Sequence, residues 1–329
     1  MLKFLAFADF HYEKMRFSTT VEDLTEIVNR ANENNVDFLI HAGDFCGDFK
    51  NSPEIINEYL KNSYNLPCYG VIGNHDLEHG NSVEIVKEKL NNSDVQFADD
   101  NAYWHTDIQG YRIIGLDSNY SFNPEANEWE HDTDFNCRKG NLYSRSLSPM
   151  QIDWLDGVLC DAHNNSLKVI VVAHDGFSDA AKVKSPDGDK VVSLFEKYPG
   201  TVILAINGHY HTDHFIRKNG VCYLDLNTAK VGFSRYSEEN HYKENHTFTY
   251  TEYKDGKKIS AKEVPLSELE YGSSVFMYDK PLSAIVTITD DSIIIEGSKT
   301  NWMYGILPDR PGYIEKGVHP EISDYKIEL

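Results

Sequence analysis

Cys68-Tyr69-Gly70-Val71-Ile72-Gly73-Asn74-His75-Asp76 is a short apolar run that stops on a glycine and then presents an amide, an imidazole and a carboxylate. Four other runs stop in the same manner. Phe4 to Ala8 leads into Asp9 and His11, Phe38 to His41 into Gly43-Asp44, Val169 to Ala173 into His174, and Val202 to Ile206 into Gly208-His209-Tyr210-His211. One such ending is ordinary turn chemistry, because Asp and Asn terminate strands by bonding their own backbone. Five of them in one chain, rich in His, have the pattern of buried strands that aim polar groups at a common rim. Open α/β sheets bind ligands in the crevice beyond the carboxyl ends of their strands.

Helical periodicity fills the gaps between the runs. Val21, Leu24, Ile27, Val28 and Ala31 share one helical face, with Ser18, Thr19 and Thr20 available as N-caps. Pro53 to Leu60 and Val83 to Leu90 have the same spacing. Ser148-Pro149-Met150-Gln151 is a capping box with Pro at the first helical position, followed by Ile152, Leu155, Val158 and Leu159 on one face. Strands separated by crossover helices predict an α/β fold.

Two stretches break the rhythm. Asn119 to Ser146 is long, polar and aromatic-rich without a period, which is the signature of a functional loop and is read as a flap near the site. Within it His131, Asp132 and Asp134 resemble a metal cluster but are read as solvated loop residues. From about residue 240 the pattern turns β-like, over His246 to Tyr253, Lys257 to Val264, Ala284 to Thr289 and Ser292 to Glu296. The expected plan is a catalytic domain over residues 1–239, with the insertion at 119–146, and a β-rich C-terminal extension over 240–329 packed on it.

Composition narrows the partners. The 329 residues carry 31 Lys plus Arg against 52 Asp plus Glu, a formal net charge of −21. A field of that sign repels phosphate backbones, and no basic cluster offsets it, so a general nucleic-acid grip is not expected. Cys46, Cys68, Cys137, Cys160 and Cys222 are an odd set without paired spacing, which argues against a disulfide framework or a zinc ribbon. A strand begins almost at residue 1, so neither a signal peptide nor a membrane span is expected and the cytoplasm is the default location.

The strand ends suit a two-metal hydrolase. Two divalent ions about 3.5–4 Å apart stabilise charge on a transferring phosphoryl group and furnish a nucleophile at neutral pH. A carboxylate must bridge them. Asp44 is the candidate, since the small Gly43 before it lets it approach two ions. Asp9 and His11 stand two apart, facing one side if the strand stays regular, and His209 and His211 repeat that spacing. Asn74 fills a coordination position with a neutral oxygen, which leaves the local charge near about +1 once a bridging hydroxide is counted. If the strand end is extended, His75 points away from Asn74 and is placed to protonate the leaving oxygen, with Asp76 as its orienting partner.

In that order, Asp9-Phe10-His11, Gly43-Asp44, Gly73-Asn74-His75-Asp76, His174 and Gly208-His209-Tyr210-His211 resemble the five signature blocks of the calcineurin-like metallophosphoesterase superfamily. The resemblance implies a four-layer α/β/β/α sandwich. It also implies that Asp9, His11, Asp44 and His211 hold one ion, that Asp44, Asn74, His174 and His209 hold the second, and that His75 and Asp76 are the catalytic pair.

Gly115-Leu116-Asp117-Ser118, and Leu147-Ser148-Pro149 leading through Gln151 to Trp154-Leu155, resemble the class III cyclic-nucleotide phosphodiesterase and purple-acid-phosphatase-like branch. The purple enzymes place a Tyr where this chain has Gly47, so no iron-tyrosinate centre is expected. Phe45-Cys46-Gly47-Asp48 and Asp76 depart from the protein Ser/Thr phosphatases. The function implied is hydrolysis of small phosphodiesters or phosphomonoesters by a metal-bridging hydroxide, with two divalent or trivalent ions of Mn, Fe or Zn as cofactors. An exonuclease of the same fold, or a non-catalytic scaffold, are the alternatives. Arg138, Tyr143 and Arg145 are candidate contacts for the substrate phosphate or base.

Overall fold

The computed structural model describes residues 1–12, 19–63, 66–91, 94–99, 101–131, 145–177, 185–233, 247–254, 257–265, 275–304 and 317–329. Two mixed sheets form its centre. The first is built on parallel strands β1 (Leu2–Phe7), β2 (Phe38–His41) and β3 (Cys68–Gly70). The second contains β4 (Gln96–Phe97), β5 (Trp104–Ile108), β6 (Tyr111–Gly115), β9 (Lys168–Ala173), β10 (Val202–Asn207), β11 (His214–Lys218) and β12 (Val221–Asp225), in the order β11-β12-β10-β9-β6-β5-β4. β6, β9, β10 and β12 run parallel.

Alternation along the strands assigns the layers. Phe4 and Ala6 of β1, and Ile170 and Val172 of β9, meet in a core between the two sheets. Their neighbours Leu5 and Phe7 face outward onto Leu24 and Ile27 of helix α1 (Val21–Glu33), alongside α2 (Pro53–Ser63) and α3 (Val83–Leu90). Val169, Val171 and Ala173 face the opposite way, onto Leu155 and Leu159 of α4 (Pro149–Asn164) and Val191 and Phe195 of α5 (Gly188–Lys197). Strand side chains point alternately to opposite faces, so each central strand is apolar throughout because both of its faces are covered. The result is the expected α/β/β/α sandwich.

The C-terminal region departs from the expected plan. β17 (Ala284–Ile288) pairs antiparallel along β1 from Leu2↔Ile288 to Ala6↔Ala284, and β18 (Ser292–Gly297) and β20 (Tyr325–Glu328) continue the first sheet in the order β20-β18-β17-β1-β2-β3. The expected boundary at residue 239 therefore does not separate an extension from the catalytic sheet. Without β17, the N–H and C=O groups of β1 would form an open sheet edge. β13 (Val231–Phe233), β16 (Val275–Tyr278) and β19 (Trp302–Tyr304) make a three-stranded sheet. β14 (Thr247–Lys254) and β15 (Lys257–Pro265) form a hairpin at the expected positions.

The aperiodic stretch after Asn119 opens with another hairpin, β7 (Tyr120–Asn123) on β8 (Glu128–His131). Arg138 and Tyr143 lie outside the described residues. At α1 the cap is Thr20, in a full capping box with Asp23. At α4 only half of the expected box forms. Ser148 Oγ accepts from the Gln151 amide, but the Gln151 side chain leaves the helix and bonds both the N–H and the C=O of Asp117, at 2.9 and 2.7 Å. The helix start thus clamps the turn that follows β6.

Candidate metal centre

The ends of β1, β2, β3, β9 and β10 converge, and the backbone there is not regular. Asp9 (φ 51°), His11 (φ 50°), Asp44 (φ 54°), His209 (φ 73°) and His211 (φ 54°) all occupy the left-handed region. The regular strand expected through Asp9 and His11 is therefore absent, since β1 ends at Phe7. Non-glycine residues in that region cost on the order of 1–3 kcal/mol each and persist where the surroundings over-determine them. Here the determinant is a ladder between two loops: the Asp9 amide donates to Gly43 O at 3.0 Å and the His11 amide to Asp44 O at 2.9 Å. The His209 amide in turn donates to the Asp9 carboxylate at 3.0 Å.

Three overlapping groups of side chains result. Asp9, His11 and His211 each bring a ligand atom within 4.8 Å of the others, and so do Asp44, His174 and His209, and also His11, Asp44 and His75. In the first group His211 Nε2 lies 3.2 Å from Asp9 Oδ1 and 3.1 Å from His11 Nε2. In the second, His174 Nε2 lies 3.1 Å from Asp44 Oδ2 and 3.3 Å from His209 Nδ1. Two glycines make room for the carboxylates. A Cβ at Gly73 would stand 2.1 Å from Asp44 Oδ1, and one at Gly208 would stand 2.5 Å from Asp9 Oδ2.

The residues present fit a pair of metal ions. The Asn74 carboxamide oxygen is buried without a hydrogen-bond partner, a costly condition that coordination would relieve. His174 Nδ1 sits 2.8 Å from Ala42 O, so its hydrogen is on that nitrogen and Nε2 is left as a ligand atom, the outer-sphere arrangement common to metal-binding imidazoles. Burial holds His11 well below the ordinary histidine range, against the Asp44 charge. Burial likewise brings His209 down to about 3, opposed by Asp175 and reinforced by Arg145. Neutral imidazoles are the ligand form. At His174 burial also disfavours a proton, but the charge and hydrogen bond of Asp44 outweigh it and raise the pKa to about 10. A position that pulls so strongly on a proton attracts a cation by the same field.

His75 and Asp76 do not form the expected pair. The Asp76 carboxylate accepts from four backbone amides, those of Asp44 (2.9 Å), Phe45 (2.7 Å), Cys46 (2.9 Å) and Gly73 (2.8 Å). It ties the loop after β2 to the loop after β3. Burial and the Asp44 charge push its carboxyl up to about 7, opposed by those N–H donors. The acid on His75 Nδ1 is Glu78, 3.0 Å away, and the His75 amide donates to Asp44 Oδ1 at 2.7 Å. The His75 ring stands edge-on to His11 with centroids 4.9 Å apart.

Arg145 is placed in the wall of the site. Its guanidinium is buried and pairs with Asp175 at 3.1 Å, with Nη2 3.4 Å from His209 Nε2. Asp175 also accepts from the Ser118 hydroxyl at 2.5 Å. Arg145 is therefore engaged with Asp175 beside His209. His131, expected to be solvated, packs against Tyr120 and pairs with the buried Asp117 at 2.6 Å, whose carboxyl burial would raise but the His131 charge and hydrogen bond lower. Sequence reasoning missed Glu78, Asp175 and this pair. Only Glu78, three residues after His75, left a local signal; Asp117 and Asp175 meet His131 and His209 through the fold.

A two-sheet α/β sandwich with Asp, His and Asn gathered at its strand ends is the architecture of a dimetal phosphoesterase. Residues 2–213 match the calcineurin-like phosphoesterase family, and the chain belongs to that family. A manganese-dependent ADP-ribose/CDP-alcohol diphosphatase of Arabidopsis thaliana is 27% identical over 230 residues, covering 59% of this chain and 71% of that protein. The crystal structure of a dimetal phosphatase from Danio rerio superposes with a TM-score of 0.58 at 14% identity, covering 99% of this chain and 98% of the other, which shows a shared fold. Among the described residues no helix is long and apolar enough to cross a membrane.

Proposed function

We propose that this chain is a metal-dependent hydrolase of small phosphate esters and anhydrides. Asp9, His11, Asp44 and His211 would hold one ion, and Asp44, Asn74, His174 and His209 the other. The observation that carries this reading is the unpartnered, buried Asn74 oxygen beside two convergent ligand groups. When bound, two such ions supply Lewis acidity toward a phosphoryl oxygen and a nucleophile usable near neutral pH.

The chain's own residues set the geometry around them. Asp76 fixes the relative position of the loops that carry Asp44 and Asn74, and Ala42 O fixes the ring of His174. His75, partly exposed beside Asp44, donates the proton that the leaving oxygen requires. The substrate class follows from likeness and charge together. The Arabidopsis relative is described as acting on ADP-ribose and CDP-alcohols, in which two phosphates are joined, and a net charge of −21 disfavours a polymeric nucleic acid. A small nucleoside-diphosphate ester is thus the substrate favoured here, with manganese as the ion to load. Such a substrate is compatible with the class III phosphodiesterase and purple-acid-phosphatase-like branch.

The test is an assay of the Mn²⁺-loaded chain on CDP-alcohols, ADP-ribose, cyclic nucleotides, nucleoside monophosphates, glycerophosphodiesters and single-stranded DNA. Release of the nucleoside monophosphate from a CDP-alcohol or ADP-ribose at the highest kcat/KM is expected. Preferred degradation of DNA would replace this reading with an exonuclease, and no turnover of any substrate would replace it with a scaffold.

A further inference from the structure

The segment Gly73-Asn74-His75-Asp76-Leu77-Glu78 contains two acidic residues, and the structure gives them different work. Residues His75–Gly80 form a 3-10 helix. In such a helix side chains three apart stand one above the other, so residue 78 lies over residue 75 while residue 76 turns elsewhere. Asp76 turns inward to the four amides already described. Glu78 is buried, and its Oε1 lies 3.0 Å from His75 Nδ1. A carboxylate oxygen at that distance accepts, so the hydrogen of His75 is on Nδ1 when the ring is neutral. The other nitrogen, Nε2, then belongs to the metal and substrate side, where His75, His11 and Asp44 bring ligand atoms within 4.8 Å of one another.

We propose that Glu78 is the positioning residue of His75, holding the ring so that Nε2 faces the leaving oxygen; the proposal rests on the reading of His75 as the proton donor. Glu78 does not itself reach the reacting atoms. Its effect passes through the orientation of one imidazole, as outer carboxylates orient histidines elsewhere. Loss of such a partner lowers activity by about 10- to 100-fold. The loss should depend on the leaving group, because a poor leaving group needs the proton and an activated one does not.

The experiment compares Mn²⁺-loaded wild type, Glu78→Ala, Glu78→Gln and His75→Ala on a phenyl and a dinitrophenyl phosphodiester, with metal content measured in each. In Glu78→Ala, kcat on the phenyl ester should fall about 10- to 100-fold, with little change on the dinitrophenyl ester and no loss of metal. Glu78→Gln, whose amide oxygen can still accept from Nδ1, should recover part of that loss. In long-range ¹H–¹⁵N spectra of the Zn²⁺-loaded protein, the His75 hydrogen should sit on Nδ1 in wild type and lose that preference in Glu78→Ala. Equal losses on both esters, or loss of metal, would make Glu78 a structural residue and overturn the proposal. A leaving-group-dependent loss in His75→Ala without one in Glu78→Ala would overturn the role of Glu78 alone. No such dependence in His75→Ala would remove His75 as proton donor and the proposal with it.

Discussion

Replacing His75 with alanine should lower kcat on a phosphodiester with a poor leaving group by about 10²–10⁴-fold, the range for loss of a positioned general acid, while metal content stays near that of wild type. The separation is expected from the geometry. His75 shares a group with His11 and Asp44, but each of the two proposed ion sites has its full set of ligands without it, namely Asp9, His11, Asp44 and His211, and Asp44, Asn74, His174 and His209; its backbone amide donates to Asp44 Oδ1 at 2.7 Å. An alanine keeps that amide bond and removes only the ring. Steady-state kinetics with elemental analysis on the same preparation is the check. Turnover equal to wild type would exclude His75 from the chemistry, and loss of an ion would make it a ligand.

Asp76→Ala should behave differently, with a fall in stability of about 3–5 kcal/mol. Both carboxylate oxygens of Asp76 are used by backbone amides, at 2.7 to 2.9 Å, from two separate loops. Hydrogen bonds to an ionised group are worth about 1.5–3 kcal/mol each, they do not add fully, and deleting the shared acceptor strands every donor at once. Relief of the buried charge offsets a part. Chemical denaturation of the metal-free variant should show the loss, and Asp76→Asn, which keeps one oxygen acceptor, should lie between Ala and wild type. An alanine variant with the wild-type midpoint but no turnover would return Asp76 to the catalytic pair expected from the sequence.

The contrast between these two neighbours shows where sequence reading stops. Five apolar runs ending in Asp, Asn or His were enough to place the strands and to gather the candidate ligands, because burial on both faces and strand-end polarity are properties of local sequence. The direction of each side chain was not local. Asp9, His11, Asp44, His209 and His211 all have positive φ, and the amides of Asp9, His11 and His209 bond to loops more than thirty residues away, so Asp9 and His11 come together as expected but on an irregular backbone and not through the two-residue strand period. Glu78 was hidden for a related reason: only a 3-10 turn, in place of an extended end, brings it over His75. Gln151 had the sequence of a capping box but found a tertiary partner in Asp117. The C-terminal strands were legible as strands, whereas their partner was not, since β17 pairs with β1 from nearly three hundred residues away.

The claim on which the rest depends is that one pair of ions sits at these strand ends with Asp44 common to both. Anomalous diffraction from crystals of the Mn²⁺-loaded chain tests it directly. Two manganese peaks are expected, one among Asp9, His11 and His211, the other among Asn74, His174 and His209, each within coordination distance of Asp44. A single peak, or two peaks of which only one touches Asp44, would contradict it.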